Sequence, residues 1–209
     1  MGTRENIINT SLKLFSVGGY EAVSMRDIAD SVGIRQSSIY KHFKSKKDIL
    51  DTIVSECEEK LNTIFMDLKV PGGINATDIS EYENITPEDL IELCCNIFSV
   101  QTKDEEIEMF KRLLIIEQYK NEKLAEIYHE IFYERPMRSQ KKIFDYLIRA
   151  GIFYEQDSEV LALEFFSPFF AMRHRYGDEY DKQKDILSKH IRKFIKDNVV
   201  NDREDSKSK

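Results

Sequence analysis

The sequence predicts an all-α fold, with an N-terminal three-helix head that contains a helix-turn-helix, followed by a larger helical body. Apolar residues recur at helical spacing over most of the chain, as in Ile7, Ile8, Leu12 and Phe15, or Ile107, Phe110, Leu113 and Leu114. Glycine and proline number only eight and four in 209 residues, too few for a chain of short strands and turns. The stretch from Ser24 to Lys47, SMRDIADSVGIRQSSIYKHFKSKK, places two short amphipathic segments on either side of Gly33.

Thr3 to Ser16 forms the first helix, ended by Gly18-Gly19. Ser24, three residues before Asp27, makes a capping-box-like start for a second helix whose inner face is Ile28, Ala29 and Val32. Ala29 is small enough to let a second helix cross closely, and Gly33 suits the turn. Ile34, Ile39, Tyr40 and Phe43 then supply another helix-spaced apolar set. That spacing leaves Arg35, Gln36, Ser37, Ser38, Lys41 and Lys44 pointing outward, side chains able to reach bases and phosphates.

Ser45 with Asp48 opens a fourth helix that runs to about Lys69, with Ile49, Ile53, Leu61, Ile64, Phe65 and Leu68 inward. The domain boundary falls inside this helix. Residues 1–60 form the head, 61–200 the body and 201–209 a polar tail. Val70 to Glu83 reads as a loop, and Thr86-Pro87-Glu88-Asp89 restarts a helix that runs to about Gln101. Further helices are expected at Asp104 to Gln118 and at Asn121 to Ala150, the latter disturbed at Pro136. One more begins at Asp157 or Ser158, bends at Pro168 and closes at Gly177; the last spans about Asp181 to Asn198.

The net charge of −7 argues at first against nucleic acid as a partner. Its distribution reverses that impression. Residues 1–50 hold eight Lys or Arg and five Asp or Glu, a net +3, which leaves −10 on the remainder. Three cysteines without metal-ligand spacing suit a reducing compartment. With neither a leader-like N-terminus nor an apolar run of membrane-spanning length, a soluble cytoplasmic protein is expected, with no membrane partner. No metal site is expected. Glu126 and His129 form a Glu-x-x-His pair, but di-iron chemistry needs a second copy on another helix. With no phosphate-binding glycine loop and four scattered histidines, the chain is not expected to be an enzyme.

Gly19 to Leu50 resembles the N-terminal signature of the tetracycline-repressor-like (TetR) family of bacterial transcription regulators. The likeness rests on Gly19-Tyr20, Met25, Ile28-Ala29, Val32-Gly33-Ile34, Ile39-Tyr40, His42-Phe43, Ser45-Lys46 and Leu50. It implies a homodimeric repressor that needs no cofactor, binds a palindromic double-stranded operator and is released by a small-molecule effector. Gln36 and Arg35 are then expected on base edges. Ser24, Ser38, Tyr40, His42 and Lys46 are expected on phosphates, with Ser37 and Lys41 completing the surface. Two positions depart from the family pattern: Arg35 cannot cap the recognition helix as a hydroxyl could, and Ser37 stands where glycine is frequent.

The family body holds a ligand pocket among its middle helices, which makes Phe98, Phe110, Arg112, Leu114, Tyr128, His129, Phe132 and Phe169 ligand candidates. Periodicity alone leaves these aromatics as core or cavity lining, and Tyr119 and Glu117 as surface or paired residues or as polar contacts to a ligand. The run from Leu161 to Met172 is apolar over more than one stripe, which burial on two sides explains. By the resemblance, Leu161, Phe165, Phe169, Met172, Leu187, Ile191, Phe194 and Ile195 form a four-helix dimer interface; a central core helix is the other reading. The alternative function is a dimeric helical module that binds a small molecule or protein without recognising DNA.

Overall fold

The computed structural model describes residues 2–68, 83, 85–176 and 179–200. Among them the helices are α1 (Thr3–Gly18), α2 (Met25–Val32), α3 (Gln36–Ile39), α4 (Lys46–Asp67), α5 (Pro87–Lys103), α6 (Glu105–Glu117), α7 (Glu122–His129), α8 (Arg135–Arg149), α9 (Ser158–Tyr176) and α10 (Tyr180–Asn198). The one β pairing among the described residues is an isolated bridge between Phe153 and Val199. Nearly all of the expected loop from Val70 to Glu83, Gly177 and the tail from Asn201 lie outside the described residues.

Local chemistry accounts for the helix starts. Thr86 and Asp157 accept N–H bonds at the openings of α5 and α9, and Asp104 Oδ1 accepts from Glu106 and Ile107 at the start of α6. Asn121 does the same for α7 through the Leu124 N–H. The disturbance expected at Pro136 is a π turn over Glu130–Glu134, which places the proline near the start of α8, where its missing N–H costs little. Pro168 lies inside α9.

Two compact units result, and they do not follow chain order. The first comprises Met1–Ile64 with Val100–Tyr133; the second comprises Phe65–Ser99 with Glu134–Lys209. The segment 100–133, assigned to the body on sequence, thus packs with the head.

In the first unit α1 lies against both α2 and α6. Its core includes Ile7, Leu12, Phe15, Ile28, Ile39, Ile49, Ile53, Leu61, Phe110 and Leu114, all fully buried. At about 1.5–3 kcal/mol for each large apolar side chain, this core is the main source of the unit's stability. Lys60 of α4 donates to Asp104 Oδ1 at 2.8 Å and to Glu106 Oε2 at 2.7 Å, tying α4 to the start of α6.

The second unit is built round aromatic rings. Phe144 stacks on Phe153 with centroids 5.7 Å apart, and Phe165 meets Phe194 edge to face at 5.0 Å. Most residues of the expected dimer interface lie among these rings. Leu161, Phe165, Met172, Leu187, Ile191 and Phe194 are buried in this unit's own core, and Phe169 and Ile195 pack against it partly buried. α9 is apolar on two sides, and the side named from sequence is the inner one. Its outer side carries Val160 at 52% and Leu163 at 58% exposure, followed at helical spacing by Ser167, half-buried Phe170 and Ala171.

Candidate nucleic-acid interface

The helix-turn-helix is assembled from three local devices. Ser24 Oγ accepts the Asp27 N–H at 3.2 Å while Asp27 Oδ2 takes the Ser24 N–H at 2.7 Å and its hydroxyl at 2.6 Å, closing a reciprocal cap. The Ser24 hydroxyl holds the Asp27 carboxyl below its ordinary value. Gly33 adopts the left-handed conformation, φ 78° and ψ 31°, and the Ile34 N–H returns to the Ala29 carbonyl at 3.0 Å. Ile28, Ala29, Ile39 and Phe43 are buried beneath the pair.

The recognition segment is shorter than the apolar spacing implies. α3 spans four residues, and Tyr40 to His42 continue as tight turns that bring Phe43 back to the core. Arg35 stands at its N-cap in extended conformation and makes no side-chain cap bond. Arg35, Gln36, Ser37, Lys41, His42 and Lys44 are exposed, Ser38 is half-buried, and Tyr40 is 53% exposed. These guanidinium, amide, hydroxyl, imidazole and ammonium groups form a contiguous stretch of chain suited to base edges and phosphate oxygens.

Lys46, expected on a phosphate, turns inward. Its Nζ donates to the Tyr20 carbonyl at 2.8 Å and sits 4.2 Å from the Tyr20 ring centroid; its side chain is 20% exposed. The ammonium braces the link between α1 and α2. Ser24 is exposed, with its hydroxyl engaged in the cap.

The ligand candidates divide between the units. In the first, Phe110 and Leu114 are fully buried, and Tyr128 packs on Phe132 and edge-on to His129 at 5.6 and 5.9 Å. Burial, then the hydrogen bond shared with the Tyr133 hydroxyl, pushes the Tyr128 phenol well up. Arg112 and His129 are exposed, as is Tyr119 at 89%. In the second unit Phe98 meets Phe169 edge to face at 6.3 Å. A polar groove of about 660 Å³ in the first unit, lined in part by Asn6, Asn9, Lys13, Lys60 and Glu105, involves none of these candidates. Glu117, open on sequence between a surface or paired role and a ligand contact, is buried and accepts the Tyr20 N–H at 2.9 Å. No short motif marks this residue, because its partner lies 97 positions away.

No helix among the described residues is long and apolar enough to cross a membrane, and no group of His, Cys, Asp or Glu there could hold a metal ion. The three cysteines are free and buried.

Residues 7–53 match the model of the bacterial regulatory proteins of the tetR family. Over 63 residues the chain is 43% identical to IcaR of Staphylococcus aureus (strain Newman), the HTH-type negative transcriptional regulator of the biofilm operon icaADBC. This match covers 30% of this chain and 34% of IcaR. Over 72 residues it is 33% identical to the HTH-type transcriptional regulator AcrR of Shigella flexneri, 34% of each chain. The chain therefore matches about a third of the length of these curated relatives. SmeT, the repressor of the Stenotrophomonas maltophilia multidrug efflux pump SmeDEF, shares the fold at 16% identity and a TM-score of 0.62, over 97% of this chain and 93% of that one. SmeT in complex with triclosan gives a TM-score of 0.66 at the same identity, over 97% and 94%. With its capped and turned helix pair, the head resembles the N-terminal segment of the tetR family of bacterial regulatory proteins over residues 7–53, and the chain shares its helical fold with SmeT.

Proposed function

We propose that this chain is a ligand-responsive transcription regulator that binds a palindromic operator as a homodimer and acts as a repressor. The observation that carries the reading is the exposed set Arg35, Gln36, Ser37, Tyr40, Lys41 and His42 on a capped helix-turn-helix with a buried inner face. The 43% identity of this region to a negative regulator supports repression. In the proposed complex Arg35 and Gln36 address base edges, while Ser37, Ser38, Tyr40, Lys41 and His42 hold sugar and phosphate. The two heads enter successive major grooves about 34 to 36 Å apart. Dimerisation uses the outer stripe of α9, Val160, Leu163 and Phe170, in place of the inner face. The effector is a small molecule held by the aromatic helices, in keeping with SmeT's complex with triclosan.

Selection of bound duplexes from a random DNA library at physiological salt tests this reading. An enriched inverted repeat is the expected result, and its genomic matches point to the effector. A folded dimer that enriches no sequence, with or without added small molecules, refutes the regulator reading in favour of a helical binding module.

A further inference from the structure

We propose that Glu117 is a positioning residue for the DNA-binding head, although it lies 64 residues past the segment that matches the family model. The inference rests on the DNA-binding reading above. Glu117 closes α6, is 1% exposed and directs Oε1 at the Tyr20 N–H from 2.9 Å. A buried carboxylate is costly unless charge-assisted hydrogen bonds hold it, so the bond to Tyr20 and the fixed place of the turn are mutually dependent.

Gly19 supplies independent evidence that the carboxylate belongs there. Its backbone sits at φ 80° and ψ 161°, a region open almost solely to glycine. A Cβ at this position would stand 2.9 Å from Glu117 Oε1 and 3.3 Å from Ile116 Cγ2. The backbone of the turn is thus shaped to admit the end of α6.

Tyr20 is gripped at both backbone groups. Glu117 accepts its N–H, and Lys46 donates to its carbonyl at 2.8 Å while covering its ring. Lys46 opens α4, directly after the recognition segment. A carboxylate on α6 and an ammonium on α4 therefore meet on the one residue that sets how α1 hands over to α2. Losing either grip lets the free protein populate other settings of the turn, which lowers the fraction of heads competent to dock.

The test uses the duplex that the wild-type protein selects. Glu117→Ala and Lys46→Met are each expected to weaken binding about tenfold, and the double variant by no more than either alone, because both act through Tyr20. Glu117→Gln, whose amide oxygen can accept the same N–H, is expected to restore most of the loss. Unfolding midpoints measured alongside show whether the variants are folded, and Glu117→Gln and Lys46→Met carry the test if Glu117→Ala is not. Wild-type affinity in folded Glu117→Ala, or independent multiplicative losses in the double variant, overturns the proposal while leaving the regulator reading intact. Failure of the wild-type protein to select any duplex overturns the regulator reading, and this inference with it.

Discussion

Replacing Leu163 by arginine separates the two faces of α9. Leu163 is 58% exposed in the chain, so in an isolated protomer the change is expected to alter stability by no more than about 0.5 kcal/mol. In a two-fold dimer through the outer stripe the substitution enters twice, because each copy presents the same patch to its mate. Two guanidinium groups then face each other in a surface built from Val160, Leu163 and Phe170. A cost of about 3 kcal/mol or more from unpaired, desolvated charge raises the dissociation constant by at least about a hundredfold. The control is Leu161→Ala on the inner face. Leu161 is fully buried, so its truncation is expected to cost about 2–5 kcal/mol of folding stability. Sedimentation at micromolar concentration reads the association, and urea unfolding reads the stability. A Leu163→Arg protein that stays dimeric with wild-type affinity refutes the outer-stripe assignment. A Leu161→Ala protein that is as stable as wild type yet monomeric refutes the placing of that residue in the chain's own core.

Three further outcomes are expected. Burial pushes the Cys57 and Cys94 thiols up to about 12, so at pH 8 neither is expected to react with iodoacetamide on the folded protein; rapid labelling of native protein, read by mass spectrometry, contradicts this. Burial disfavours the charged forms of Lys60 and Asp104, but their mutual hydrogen bonding outweighs it, raising the ammonium above and holding the carboxyl below its ordinary value. The Asp104 contribution is present above its unfolded pKa and lost as pH falls through the depressed folded value. The Lys60 contribution is present below its unfolded pKa and lost as pH rises through the raised one. Lys60→Met is therefore expected to cost on the order of 1 kcal/mol from about pH 5 to about pH 9, with the difference from wild type shrinking below about pH 4; a difference independent of pH argues against the ion pair. On the selected duplex, Lys41→Ala is expected to flatten the log-log salt dependence by about one unit per head, while Lys46→Met weakens binding with an unchanged slope. The reverse pattern returns Lys46 to the phosphates.

Short-range chemistry was readable from the residues themselves. The Ser24–Asp27 cap, the left-handed Gly33 and the Asp104 and Thr86 helix starts each need partners within three or four residues, and those partners are visible in the sequence. Helix faces were readable only where one side is apolar. In α9 both sides are, so the spacing of Leu161, Phe165, Phe169 and Met172 could not reveal which side meets its own chain. The apolar set Ile34, Ile39, Tyr40 and Phe43 suggested a longer recognition helix, yet Tyr40 to His42 bring Phe43 inward through turns that keep a similar spacing. Lys46 and Glu117 were opaque for another reason. Their contacts span 26 and 97 positions, and a lysine at a helix start or a glutamate at a helix end carries no local sign of such a partner.

The make-up of the first unit bears on how the protein is synthesised. Its two stretches are separated by residues 65–99, so a ribosome delivers α1 to the start of α4 well before it delivers α6. Until Glu117 is clear of the exit tunnel, the nascent head lacks the helix against which α1 lies, and the N–H of Tyr20 lacks its acceptor. The same dependence governs chimaeras. A graft of residues 7–53 onto a foreign body brings the reading surface without its wall, and a transplant of residues 1–64 together with 100–133 carries the complete unit.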